Sequence, residues 1–261
     1  MTLGDKYTVS KFSQSRIASF DICAVSNLKH NVSVILEVDI TESRKKVKKL
    51  KSDGVKISFF GWLLKGIATA IKKHPASAAS LKNKREIIMF NSVTISTIIE
   101  KEIDGIRVPI PLVIKDADSK SAEEISLEIE NAKKEEAESQ TVVLNKKTNR
   151  MERFYYQLPG FLRRAVWRYI LRNPKFAYNK MGNVAVSSLG MSGNVNAWFI
   201  HKSIHPISFG IGSVSKKPLV INDSVEVREI LNMTILLDHD VLDGVPMAKF
   251  VRDLSALLSS A

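Results

Sequence analysis

Residues 57–74, ISFFGWLLKGIATAIKKH, form a long apolar stretch with helical spacing that ends at Pro75. Lys65, Lys72 and Lys73 mark one narrow polar face. A helix with so little polar surface is stable only when the rest of it is buried in a folded domain. The chain must therefore supply other elements that cover this helix.

Both helix and strand patterns recur around this stretch. Strands are predicted at 31–41, 86–100 and 107–114 (the last interrupted by prolines), and at 182–190, 205–214 and 218–239. Further helices are predicted at 42–54, 121–139 and 245–258. The fold class is therefore mixed α/β, with the longest strands in the C-terminal half. The chain shows no internal repeat or long linker, which predicts one domain over residues 1–261.

Composition narrows the class of protein. An apolar fraction of 44% and a charged fraction of 25% are typical of soluble globular proteins. The sequence shows neither a membrane-spanning segment nor a signal peptide, and we therefore expect a cytoplasmic protein. A single cysteine, Cys23, excludes an intramolecular disulfide framework and thiolate-cluster zinc sites. The net charge of +12 indicates an anionic partner, but aromatic residues do not interleave with the basic runs, so no nucleic-acid binding is expected.

The segment LLDHDVLDG, residues 236–244, places a histidine between two aspartates near the C-terminus. His239 could act as a base, bind a metal, or be an idle residue at a strand end. A metal site would need further ligands, and the other histidines show no supporting motif, so no metal is predicted. The local sequence leaves the catalytic and idle interpretations open.

The wider segment MTILLDHDVLDGVPMAKFVRDLSALL, residues 233–258, resembles the C-terminal signature of the dihydrolipoamide acyltransferases of 2-oxo acid dehydrogenase complexes. These are relatives of chloramphenicol acetyltransferase. The shared pattern His-x-x-x-Asp-Gly is filled by His239, Asp243 and Gly244. Three more segments are similar to the family in the same order: 56–80, 104–129 and 184–190. The resemblance implies a chloramphenicol acetyltransferase-like two-layer sandwich of mixed sheet and helices, assembled as a homotrimer.

The resemblance also implies roles for individual residues. His239 would be the base and Ser187 of VAVSSLG the oxyanion donor, each supplied by a different protomer. Asp243 would pair with Arg16 and hold the histidine loop, or cap the last helix, and Gly244 would permit the turn. The alternative for Ser187 is a strand serine satisfied by the backbone. The reaction would move an acyl group between a thioester, acyl-CoA or acyl-lipoyl, and an unknown acceptor, with coenzyme A as a substrate.

Two residues depart from the family pattern. Asp240 stands where arginine is usual, and Ser188 where asparagine is common. The chain also shows no lipoyl-domain pattern, which predicts a free-standing trimer without a covalent lipoyl group, served by a separate lipoyl or carrier protein. Asp240 keeps open a noncatalytic trimeric scaffold or regulatory protein. An antibiotic O-acetyltransferase is a further alternative, although segment 104–120 favours the dihydrolipoamide branch.

Residues 140–180 fall outside the resemblance and are predicted to be an insertion. Within 154–173, an apolar stripe with helical spacing is formed by Phe161, Leu162, Val166, Trp167, Ile170 and Leu171. Most arginines lie off that stripe: Arg163, Arg164, Arg168 and Arg172. This helix either packs on its own trimer or lies on an anionic membrane, with Trp167, Phe161 and Leu162 in lipid and the arginines at the headgroups. The second interpretation makes the cytoplasmic protein membrane-peripheral.

Overall fold

The computed structural model describes residues 7–10, 15–103, 106–134, 150–189 and 196–260. The helices are α1 (Ser15–Ser26), α2 (Thr41–Ser52), α3 (Phe59–Lys73), α4 (Ala122–Lys134), α5 (Arg150–Gln157), α6 (Gly160–Arg172), α7 (Pro174–Met181) and α8 (Gly244–Ser259). The strands are β1 (Asn31–Asp39), β2 (Ser80–Asn83), β3 (Glu86–Ile88), β4 (Ile95–Ile103), β5 (Ile106–Ile114), β6 (Val184–Ser188), β7 (Ile207–Ile221) and β8 (Ser224–Asp238).

Six of the strands form one sheet in the order β1-β8-β7-β6-β4-β5, and β2 pairs with β3 separately. Strand β6 runs parallel to both β4 and β7, whereas the other neighbours are antiparallel. The mixed α/β class is therefore confirmed. The longest strands, β7 and β8, have 15 residues each and are joined at Asn222 and Asp223, whose φ angles are 47° and 62°. Two consecutive positive φ angles are typical of the tight hairpin turn that matches strand twist.

The prolines predicted to interrupt the strand near 107–114 do not do so. Strand β5 pairs with β4 along its whole length, from Ile106 to Ile114. Pro109 and Pro111 are two residues apart, so their nitrogens face the same side of the strand. Because β5 is an edge strand, that side needs no hydrogen-bond donors, which is why the strand tolerates both prolines.

Helix α3 lies in the core, as its apolar sequence predicts. Its side chains Leu63, Leu64 and Ile67 are fully buried and pack with the apolar side of the sheet, α4 and α8. The hydroxyl of Ser58 accepts a hydrogen bond from the N–H of Gly61 and caps the helix. A Cβ atom at Gly61 would lie 2.1 Å from Ser126 Oγ, so glycine permits the close contact of α3 with α4.

Two local predictions need correction, and two helices lack a sequence signal. The strand predicted at 86–100 is divided into β3 and β4, and residues 89–94 between them are not in a strand. The helical stretch 154–173 is broken at Leu158 and Pro159 into α5 and α6, because proline disfavours the helical conformation of the residue before it. Helices α1 and α7 were not predicted. Within the described ranges, every helix is too short or too polar to cross a bilayer.

Candidate functional site

The turn that carries His239 joins the last strand to the last helix. Strand β8 ends at Asp238, and the imidazole of His239 follows on an exposed turn before α8. The backbone N–H of His239 donates to the carbonyl of His30, at 2.9 Å. This contact arises because the start of β1 pairs with the end of β8, Asn31 opposite Asp238. The backbone of His239 is therefore fixed by the segment that precedes β1.

The same segment binds both aspartates beside His239. Lys29 Nζ lies 2.7 Å from Asp238 Oδ2, with both side chains largely buried, and His30 Nδ1 lies 2.9 Å from Asp240 Oδ1. The hydrogen bond and the charge of Asp240 raise the pKa of His30 above its ordinary value of 6.5. Asp240, which departs from the family pattern, is thus a partner of His30 in the support of this turn.

A partly buried histidine, His205, connects this turn to the strand that carries Ser187. Lys29 Nζ donates to the carbonyl of His205, at 3.0 Å, and His205 Nε2 lies 3.0 Å from the carbonyl of Met181. Burial lowers the pKa of His205 to about 4, so the ring is neutral near pH 7 and its Nε2–H is the donor. Met181 ends α7, three residues before β6 begins at Val184. One polar network therefore reaches from the His239 turn to the start of the serine strand.

Ser187 lies on the side of β6 opposite the core residue Val186, because side chains alternate along a strand. It is half-buried and pairs with Gly210 of β7. A Cβ atom at Gly210 would lie 2.9 Å from the carbonyl oxygen of Phe199. Glycine at 210 thus lets the segment that contains Phe199 lie directly against the sheet face that presents the Ser187 hydroxyl.

Ser187 and His239 are far apart within one chain. Ser187 pairs with Gly210, Gly210 pairs with Thr234, and His239 follows five residues after Thr234. From the rise along a strand and the spacing of two strands, the residues are separated by roughly 20 Å. Hydrogen-bond reach is about 3 Å, so one chain alone does not bring these groups to the same reacting atom.

The structure bears on two of the residues predicted to hold the histidine loop. Asp243 is the N-cap residue of α8, as predicted, although its side chain makes no capping hydrogen bond. Gly244 is the first residue of α8, and a Cβ atom there would meet nothing within 4 Å, so this turn does not require glycine. Arg16 lies in the first turn of α1, on the surface. Its pairing with Asp243 stays a prediction.

A cleft of about 1310 Å³ opens beside Ser188, on the core side of β6. Strand β7 has a bulge between Ile211 and Val214, and both residues line the cleft. Much of the wall is apolar, with Phe59, Phe60, Ile98 and Leu231. Charged side chains also line it, five of them basic (Arg44, Lys51, Lys56, Lys133 and Lys216) and two acidic (Glu130 and Glu229), and Glu229 pairs with Arg44. The cleft suits an extended ligand with an apolar arm and anionic groups.

Sequence patterns do not predict four residues of the site: Lys29, His30, Asp238 and His205. Lys29 and His30 come immediately before a predicted strand. This position predicts that they lie at a strand end, but it does not predict what they contact. Their function depends on which strand pairs with β1, and local patterns do not determine that pairing.

Within the described part of the chain, no group of three His, Cys, Asp or Glu side chains is placed to hold a metal ion.

Comparison with known proteins gives the family. The model of the 2-oxoacid dehydrogenases acyltransferase (catalytic domain) family matches residues 5–145 and 172–261, which include both His239 and Ser187. The dihydrolipoyllysine-residue acetyltransferase component of the pyruvate dehydrogenase complex of Bacillus subtilis is 26% identical over 248 residues, covering 90% of this chain and 47% of the relative. The lipoamide acyltransferase component of the branched-chain alpha-keto acid dehydrogenase complex of the same organism is 26% identical over 249 residues, covering 90% and 49%.

A solved structure of a probable dihydrolipoamide acetyltransferase from Listeria monocytogenes has the same fold. Its TM-score is 0.68 at 23% identity, and the match covers 97% of this chain and 94% of that one. The chain spans about half the length of the curated relatives it matches. Because the family model matches most of the residues, the chain belongs to the family of 2-oxoacid dehydrogenase acyltransferase catalytic domains.

Proposed function

We propose that this protein transfers an acyl group between coenzyme A and a second thiol, such as that of a dihydrolipoyl group. His239 is the base, and Ser187 of a neighbouring protomer is the oxyanion donor. The observation that carries the proposal is the family match, which spans the segments of both residues. The relatives' names supply the reaction class.

The proposed chemistry needs two groups at one carbonyl. The imidazole of His239 takes the proton from the incoming thiol, and the thiolate sulfur forms a bond to the thioester carbonyl carbon. The carbonyl oxygen becomes an oxyanion, which the hydroxyl of Ser187 stabilises by donating a hydrogen bond. The bond to the original sulfur then breaks, and the protonated imidazole returns its proton to the leaving thiolate. The products are a new thioester and a free thiol.

We propose a homotrimer in which each site is shared by two protomers. The separation of roughly 20 Å between Ser187 and His239 within one chain supports this arrangement, because a second copy is needed to bring the two groups together. The same separation gives the proposal a test that does not depend on the identity of the acyl group.

We propose that the reacting thioester lies on the face of β6 that presents the Ser187 hydroxyl. The cleft beside Ser188 opens on the other face, the core side, so it does not hold the carbonyl that Ser187 contacts. The relatives belong to complexes named for pyruvate and for branched-chain alpha-keto acids, so acetyl and branched acyl groups are the first candidates. A lipoyl group would be carried by another protein or by a domain outside these residues.

Thiol release provides the activity test. The protein is incubated with acetyl-CoA or isobutyryl-CoA and dihydrolipoamide, and free coenzyme A and S-acyl product are measured for the wild type and for His239→Ala. We expect product with the wild type and background rates with the variant. Equal rates in both proteins would instead favour the noncatalytic scaffold.

Mixed trimers test the shared site. His239→Ala and Ser187→Ala chains are co-expressed with different tags, and trimers that carry both tags are isolated. In every trimer that carries both tags, we expect about one third of the wild-type rate, because only one of the three sites takes its histidine from a Ser187→Ala chain and its serine from a His239→Ala chain. A site contained within one chain would show no recovery.

A further inference from the structure

Helix α6 has no buried residue along its 13 positions, although it lies on the surface of a folded domain. Its side chains Phe161 and Tyr169 are 64% and 68% exposed, and Leu162 and Val166 are 40% and 41% exposed. Large apolar side chains grouped in this way mark a surface that contacts another apolar phase. The family match also leaves out residues 146–171, which include most of this helix.

The exposed side of α6 has two adjoining stripes. Phe161, Ala165 and Tyr169 follow one another at intervals of four residues, with Leu162 and Val166 beside them. A second stripe has the same spacing: Arg164, Arg168 and Arg172. Residues 150–181 contain eight basic residues and one acidic residue, Glu152, so the surroundings of the helix are strongly cationic.

The opposite side of α6 holds the helix on the domain. Arg163 Nε lies 2.6 Å from Asp21 of α1, and Tyr155 of α5 donates to the same carboxylate at 2.9 Å. Trp167 Nε1 donates to the hydroxyl of Tyr155, at 2.9 Å. This corrects the predicted membrane-contact set, because Trp167 and Arg163 face the protein. The outward set is Phe161, Leu162, Val166, Tyr169 and the arginines of the second stripe.

We propose that the outward side of α6 binds an anionic membrane surface. The apolar stripe enters the boundary between headgroups and acyl chains, and Arg164, Arg168 and Arg172 bind lipid phosphates and carboxylates. Charge complementarity favours this partner over a second copy of the chain, since two copies of a cationic surface repel each other. The inference does not rest on the proposed activity.

Membrane binding at α6 would place the His239 turn close to the bilayer. A small cavity of 170 Å³ is lined by Leu171 at the end of α6, by Tyr178 of α7, and by Lys29 and Asp240 of the turn network. The turn is therefore about one helix diameter, roughly 10 Å, from the proposed membrane-binding helix. An acyl group held at the membrane surface would be within reach of this site.

Vesicle flotation tests the proposal with matched variants. The wild type is mixed with vesicles of phosphatidylcholine alone or with added phosphatidylserine, at low and at physiological salt. Phe161→Ser/Tyr169→Ser removes the most exposed apolar side chains, and Arg164→Glu/Arg168→Glu/Arg172→Glu reverses the basic stripe. The control, Lys46→Glu/Lys48→Glu/Lys49→Glu, makes the same charge change on exposed positions of α2.

We expect the wild type and the α2 control to float with phosphatidylserine vesicles, and both α6 variants to partition at least about tenfold less. Wild type that stays unbound overturns the proposal. An equal loss in the α2 control also overturns it, because general positive charge would then explain binding. If Phe161→Ser/Tyr169→Ser instead changes the oligomeric mass in light scattering, a second copy covers this surface and the proposal is wrong. Circular dichroism of each variant shows whether it is folded.

Discussion

The ammonium group of Lys29 lies 2.7 Å from the carboxylate of Asp238, and the side chains are only 17% and 10% exposed. Asp238 is the last residue of β8 and stands directly before His239. The pair therefore neutralises a buried charge at the position from which the histidine turn begins. Stability and activity should both depend on it.

We expect Lys29→Met to lower the free energy of unfolding by about 3–5 kcal/mol, because it leaves the carboxylate of Asp238 buried and uncompensated. Catalytic turnover should fall as well, since the turn that holds His239 loses its anchor. Lys45→Met is the matched control. Lys45 pairs with Glu42, and their side chains are 64% and 51% exposed. Loss of this pair should therefore lower the free energy of unfolding by no more than about 1 kcal/mol. Urea unfolding measures both, and equal losses would contradict the expectation.

The contact of His30 with Asp240 predicts a pH-dependent stability. Asp240 raises the pKa of His30 in the folded state. The contribution of this contact to the free energy of unfolding is therefore complete below the ordinary pKa of 6.5, and it disappears as the pH rises through the raised pKa. We expect the melting temperature of the wild type to exceed that of Asp240→Asn at pH below 6.5 and the difference to shrink at higher pH. The effect should be small, since both side chains are exposed.

Thermal unfolding of the two proteins over about pH 5 to 9 measures this difference. His30→Gln provides the control, since a second change at Asp240 should then add no pH dependence. A constant difference over the whole range would show that Asp240 acts without the charge of His30.

The partly buried His205 predicts the opposite dependence on pH. Its folded pKa of about 4 lies below the ordinary 6.5, so the unfolded chain binds a proton more readily as the pH falls from 6.5 towards 4. Between pH 6.5 and 4, the free energy of unfolding should therefore fall by roughly 3 kcal/mol. We expect His205→Gln, which retains an N–H donor, to lose less stability between those pH values. Urea midpoints at each pH check this, and parallel curves for both proteins would refute it.

Ser187→Ala should lower kcat by about 100- to 1000-fold if its hydroxyl stabilises the oxyanion. Ser187→Thr retains a hydroxyl and a strand-favouring side chain, and should stay within about tenfold of the wild type. Steady-state kinetics with acetyl-CoA and dihydrolipoamide compare the three proteins. A threonine variant as slow as the alanine variant would indicate that Ser187 acts through packing.

Helices and strands whose apolar residues recur at a regular spacing could be predicted from the sequence. Contacts between distant segments could not. The apolar period of α3 and the alternation in β7 and β8 are local signals. The support of His239 by Lys29 and His30 follows from the pairing of β1 with β8, which joins residues about 200 positions apart. The orientation of Trp167 likewise depends on α1, because its partner Tyr155 is fixed by Asp21. Periodicity places Trp167 on an apolar side without showing which side faces the protein.

The prolines of β5 also limit how copies of this sheet can associate. A fibre built by adding strand to strand needs two free edges on every sheet, so that each copy accepts one neighbour and offers an edge to the next. Pro109 and Pro111 remove backbone donors from the outer side of β5, which leaves β1 as the only other edge of the six-stranded sheet. Strand pairing between copies of the six-stranded sheet is therefore left to β1, where it can join two sheets, while Pro109 and Pro111 disfavour the second pairing at β5 that a fibre would need.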